Sequence, residues 1–170
     1  GWSAECLPHD LAYRDSRHFD PATMTESAVR AATALYFAMI SQIDHHIGRM
    51  VDVLIDRGLY EDTMIIYTSD HGEYLGFHHM ITKGNLMYDP VVRVPCVIKY
   101  PGEGHRSRPA AGQNTGLFSL VDLYPTILAA MGLDDSGDRP GINMRSHPEG
   151  REAVCAEIYE GKEYMVRTKT

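Results

Sequence analysis

One stretch of this chain constrains its fold more than any other. The β-branched, apolar run Thr63-Met-Ile-Ile-Tyr-Thr68 passes through Ser69 and stops at Asp70-His71-Gly72. A short apolar run with such an end reads as a buried strand that delivers polar residues at its C-terminal end. Open α/β sheets place their ligands there. An Asp and a His side by side can offer a carboxylate oxygen and an imidazole nitrogen to one cation, and Gly72 lets the backbone turn sharply after them. Asp-His-Gly after a strand also suits an ordinary turn. The arrival of His78, His79 and Lys83 within a dozen residues favours a site for an anion beside a metal.

The flanking sequence supplies the elements of an α/β fold. From Glu26 to Arg57 apolar residues recur with a period of about 3.6 residues, among them Val29, Tyr36, Met39, Ile43, Ile47, Met50 and Leu54. Thr25 or Ser27 can cap the start of this helix and Gly58 its end. His45 and His46 fall at exposed helix positions. A second apolar run, Arg93 to Tyr100, closes at Pro101-Gly102, and Asp122 is a candidate N-cap for a helix to Met131. Ala153 to Tyr159 and Tyr164 to Arg167 read as two further strands. The 63–68 and 94–100 strands are expected side by side in one sheet, apolar throughout, with the 26–57 helix on a face. Residues 1–25 read as an irregular connection and 102–116 as an exposed loop.

Composition excludes several classes. With 44% hydrophobic and 23% charged residues the chain is ordinary for a globular protein. No apolar run approaches the ~20 residues of a membrane helix, and a net charge of −7 argues against nucleic acid as a partner. The start carries no signal-peptide pattern, which leans towards the cytoplasm. It also lacks Met, which fits an internal fragment or a processed chain. Cys6, Cys96 and Cys155 form neither a disulfide framework nor a zinc pattern. Cys96 and Cys155, inside apolar runs, are expected to be small buried hydrophobes.

Tyr67-Thr-Ser-Asp-His-Gly-Glu-Tyr-Leu-Gly-Phe-His78 resembles the late metal-binding motif of the sulfatases in the alkaline phosphatase superfamily, roughly T-S-D-[HN]-G-E-x-L-G-D-H. Lys83-Gly84 is similar to the K-G that follows it, and Tyr88-Asp-Pro-Val-Val-Arg-Val-Pro95 to Y-E-x-x-x-R-V-P. Ser119-Leu-Val-Asp-Leu-Tyr-Pro-Thr126 resembles S-L-V-D-L-x-P-T. The likeness covers about residues 28 to 168 and implies an alkaline-phosphatase-like mixed sheet flanked by helices. Residues 1–170 would then be part of a single catalytic domain lacking its nucleophile-bearing N-terminal region. By itself the chain would be inactive.

The implied activity is metal-dependent hydrolysis of a small anionic sulfate ester. Asp70 and His71 would be metal ligands, to Ca²⁺ first and to Mn²⁺ or Mg²⁺ otherwise. Lys83 would touch the sulfate oxygens, and His78 would sit near the metal or the leaving group. His71, where many members have Asn, resembles the choline-sulfatase and phosphonate-monoesterase branch. Phe77 replaces an acidic residue and so removes a supporting group for His78. His79 replaces a Gly and Asp89-Pro90 an acidic pair. Arg93 is expected in a structural ion pair and Glu73 behind the metal ligands or in solvent. The family nucleophile lies in C-x-P-x-R; Cys6-Leu-Pro-His-Asp10 keeps the Pro but has Asp in place of Arg, a chance match. The same metal site also serves phosphodiesterases, phosphonate monoester hydrolases and phosphoethanolamine transferases, and a non-catalytic relic or binding module would keep the scaffold alone.

Overall fold

The computed structural model describes residues 12, 25–102, 112–135, 137–158 and 163–169. Cys6 and most of the expected irregular connection and of the 102–116 loop lie outside them. The chain divides into two compact units. One comprises Gly1–Asp56 with His71–Pro95, the other Arg57–Asp70 with Cys96–Thr170.

In the first unit, helix α1 spans Glu26–Asp56, close to the sequence expectation. Thr25 begins it by accepting the Ala28 N–H on Oγ1 at 3.2 Å, and Gly58 ends it at φ 66. Glu26 and Arg30 pair at 3.0 Å on its exposed surface, where such a pair contributes little. The apolar periodicity is real, yet no residue of α1 is buried; Leu35 is 68% exposed. Both His45 and His46 are exposed as expected. The unit's core lies under the loop that follows Asp70. It consists of Tyr74, Met80 and Val91, with Leu86 and Tyr88 packed against them.

In the second unit, β1 (Ile65–Thr68) pairs antiparallel with β2 (Cys96–Lys99), with Ile65 opposite Lys99 and Thr68 opposite Cys96. The adjacency expected from sequence holds. Burial on both faces does not, since Val97 is 63% exposed; an antiparallel pair can leave one face to water. The Lys99 ammonium donates to the Glu61 and Thr63 carbonyls at 3.0 and 3.1 Å and lies over the Tyr60 ring. It thereby ties the entry into β1 to β2.

A short 3₁₀ turn, Leu120–Asp122, leads into α3 (Leu123–Ala130), a second short helix, α2 (Asp89–Val92), having come before it in the first unit. Asp122 does not cap α3 as expected. Its carboxylate reaches back to the Ser119 N–H at 2.8 Å, so the helical segment starts at Ser119. Strands β3 (Ala153–Ile158) and β4 (Glu163–Thr168) pair antiparallel over six positions. The described strands form two antiparallel pairs. Cys96 and Cys155 are exposed, correcting the expectation of burial. Alternation puts Cys155 on the outward side of β3 with Ala153 and Glu157.

Candidate functional site

Asp70 stands two residues past the end of β1, exposed, with Ser69 Oγ 3.5 Å from its Oδ1. His71 is half-buried, and its Nδ1 lies 2.9 Å from the Gly72 carbonyl oxygen. A carbonyl can only accept, so in this contact Nδ1 is the donor. Metal-binding histidines are set up this way, with the second ring nitrogen tied to a carbonyl or carboxylate. By their chemistry an aspartate carboxylate and an imidazole both suit a divalent cation.

Gly72 is needed for a reason other than the turn read from sequence. Its φ is not positive. Instead a Cβ there would meet the Pro90 carbonyl oxygen at 2.0 Å. The Gly72 N–H donates to Val91 O at 2.7 Å and the Glu73 N–H to Pro90 O at 3.0 Å. The segment after His71 is therefore pressed against α2. The side chain of Glu73 accepts the Leu75 N–H at 3.4 Å, a local turn contact.

From Tyr74 to Leu86 the backbone folds into a tight, internally bonded loop. Tyr74, 2% exposed, donates its N–H to Thr82 O at 2.9 Å. Its hydroxyl donates to Leu86 O at 2.7 Å and accepts the Leu86 N–H at 3.1 Å. Gly76 N–H donates to Met80 O at 2.7 Å, and Met80 is fully buried. Four non-glycine residues in this stretch have positive φ: Leu75, His78, His79 and Thr82. Each costs free energy and persists only where the surroundings over-determine it. Here the buried Tyr74 and Met80 and the bonds around them do so.

His78 stacks on the Phe77 ring at 4.1 Å and 9° and lies 4.9 Å from the Tyr88 ring. Phe77, which removed the carboxylate expected behind His78, thus supplies ring contact instead. Lys83 is exposed in the same loop. Arg93 donates its backbone N–H to Asp89 O at 2.9 Å. The structure gathers His71, His78 and Lys83 into one compact unit, and Asp70 is the last residue of the other unit before it. Among the described residues no three His, Cys, Asp or Glu side chains cluster as a complete metal shell.

Sequence reading missed two features of the site: Tyr74 as the anchor of the loop, and α2. Tyr74 had a signal, since an aromatic flanked by polar residues and glycines in a loop is usually held by something. The α2 turn had Pro90 at its start, a favoured position for the first helical turn.

Comparison with known proteins gives a consistent picture. The family profile described as Sulfatase matches residues 8–133. The chain is 38% identical over 117 residues to the uncharacterized sulfatase YidJ of Escherichia coli, covering 69% of this chain and 22% of that protein. It is 40% identical over 113 residues to the multifunctional alkaline phosphatase superfamily protein PehA of Trinickia caryophylli, covering 65% and 21%. The chain spans about a fifth of the length of these relatives. Among solved structures, BT4656 in complex with its substrate D-glucosamine-2-N,6-O-disulfate superposes with a TM-score of 0.73 at 26% identity, covering 95% of this chain and 35% of the other. The phosphonate monoester hydrolase of Agrobacterium radiobacter superposes with a TM-score of 0.70 at 30% identity, covering 84% and 30%.

Proposed function

Because this chain belongs to the sulfatase family, with the alkaline-phosphatase-like α/β fold of its structural neighbours, we propose that the protein hydrolyses sulfate esters and that Asp70 to Lys83 forms part of the catalytic site. The observation that carries this reading is the Asp70-His71-Gly72 turn. Its imidazole donates from Nδ1 to the Gly72 carbonyl, immediately after a strand end.

Asp70 and His71 would hold a divalent cation together with donors from outside the described residues. Ca²⁺ is the first choice, and the nitrogen donor leaves Mn²⁺ and Mg²⁺ open. When bound, the cation polarises the anionic ester group. Lys83 offers its ammonium as a compact point charge to the non-bridging oxygens. His78 delivers a proton to the leaving alcohol, its ring held in orientation by Phe77 and Tyr88.

The likeness to the phosphonate monoester hydrolase favours a second reading, phosphonate monoester or phosphodiester hydrolysis at the same site. Side-by-side assay of the intact protein separates the two, with nitrophenyl sulfate and nitrophenyl phenylphosphonate in Ca²⁺ or Mn²⁺ after chelation and reloading. The first reading requires the higher kcat/KM on the sulfate. Preference for the phosphonate replaces it with the second, and turnover of neither overturns both.

A further inference from the structure

Of the four non-glycine residues with positive φ between Tyr74 and Leu86, three have a local reason for it. Leu75 is half-buried next to the buried Tyr74. Histidine visits the left-handed region more readily than most residues, and the His78 ring is stacked on Phe77. Thr82 is different. It is β-branched, the class for which a φ of 65 is a genuine outlier. Its side chain is exposed, so packing in a core does not offset the strain. Any residue with a Cβ is strained in that conformation, and a glycine would not be.

We propose that Thr82 is a positioning residue for Lys83, its left-handed backbone aiming the ammonium at the anionic group of the substrate, a reading that rests on the sulfate ester hydrolysis and the role of Lys83 proposed above. The Thr82 carbonyl accepts the Tyr74 N–H at 2.9 Å. Four positions on, both backbone groups of Leu86 bond to the hydroxyl of the same buried tyrosine. Lys83 opens the short span between these two points, and all of it lies in one compact unit. The dihedrals of Thr82 set the direction in which the chain leaves the first point, and so where the lysine starts. A threonine has a narrow well in the left-handed region and a glycine a broad one. The strained residue therefore gives the lysine a defined departure that a relaxed one would blur. Strain of this kind persists where the surroundings over-determine it, and it gathers at functional sites.

The test is a double-mutant cycle in the intact protein, with Thr82→Gly, Lys83→Ala and the two combined, read by nitrophenyl sulfate kinetics, urea midpoint and bound metal. Thr82→Gly removes the strain, so its urea midpoint should equal or exceed that of wild type, with metal content unchanged. Its kcat should nevertheless fall about tenfold with KM within about twofold, the pattern of an interaction lost in the transition state. Lys83→Ala should lose about 10²-fold. The combined variant should lose no more than Lys83→Ala alone, since no ammonium is left to aim. Wild-type kcat in Thr82→Gly, a further tenfold loss in the combined variant, or a loss of rate matched by a lower urea midpoint or less metal overturns the positioning role while sulfate ester hydrolysis stands. Full activity in Lys83→Ala removes the lysine from the site, and the role of Thr82 with it. A wild type inert to nitrophenyl sulfate overturns the activity itself, and the positioning role falls too.

Discussion

Gly72 and Pro90 stand so close that a methyl group on Gly72 would lie 2.0 Å from the Pro90 carbonyl oxygen. This contact, with the Gly72 N–H bond to Val91 O at 2.7 Å, locks the residue after His71 onto α2. Gly72→Ala must displace one or the other backbone. It should cost about 1–3 kcal/mol in urea unfolding of the intact protein, and the displaced His71 should weaken metal retention. An alanine variant with unchanged stability and metal content would show that the two segments yield freely.

Tyr74 holds the far end of the same loop through both backbone groups of Leu86. Tyr74→Phe keeps the ring in the core, strands the part-buried Leu86 N–H and leaves the Leu86 carbonyl with the Tyr88 N–H at 2.9 Å, which should cost about 1–3 kcal/mol. Because Lys83 lies between the two anchoring points, the variant should also lose kcat/KM on nitrophenyl sulfate at temperatures where it remains folded. Loss of stability with full activity would separate the anchor from the site.

The strand end and the long helix were legible because each rests on local pattern: an apolar run, a period, a cap. What was not legible depends on distant partners. Gly72 looked like a turn glycine, and only the backbone of Pro90, eighteen positions away, shows that it is there for close approach. Phe77 looked like the loss of support for His78, and only the stack at 4.1 Å shows what replaced it. Cys96 and Cys155 looked buried because apolar runs suggest cores, but a two-stranded antiparallel pair has a face turned to solvent. Asp122 was marked as a cap from its position before a helix. Its carboxylate instead serves three segments that the sequence separates by up to 29 residues.

Asp70→Asn replaces an anionic oxygen donor with a neutral amide. In the intact protein it should abolish metal retention measured by elemental analysis after gel filtration, since charge count governs affinity in oxygen-rich shells. Metal content equal to wild type would remove Asp70 from the ligand set. Lys83→Ala should leave metal content unchanged and lower kcat on nitrophenyl sulfate by about 10²-fold, the usual effect of removing one charge-stabilising donor. Loss of metal in Lys83→Ala would mean the lysine acts on the loop and not on the substrate.

Asp122 and Arg151 give the last prediction. The Asp122 carboxylate is fully buried and lies 2.5 Å from Arg151 Nη2, with the Ser119 and Ile142 N–H groups each donating at 2.8 Å. Arg151 Nη2 also donates to the Pro140 carbonyl. Thr126 donates its hydroxyl to Asp122 O at 2.6 Å and accepts the Met144 N–H at 2.9 Å. One carboxylate thus binds the 140–151 segment to the start of α3. Burial pushes its pKa up. The hydrogen bonds from Arg151, Ser119 and Ile142, with the Arg151 charge, outweigh burial and hold it below the ordinary carboxylate range. A depressed folded-state pKa stabilises the ionised form. The contribution is complete above the unfolded value of about 3.9 and disappears as pH falls through the lower folded value. Asp122→Asn should therefore cost about 3 kcal/mol near neutral pH. Its deficit against wild type should shrink as pH falls below about 4, where wild type loses the same charge. Urea midpoints at several pH values measure this, and a deficit independent of pH would assign the cost to packing and not to the ion pair.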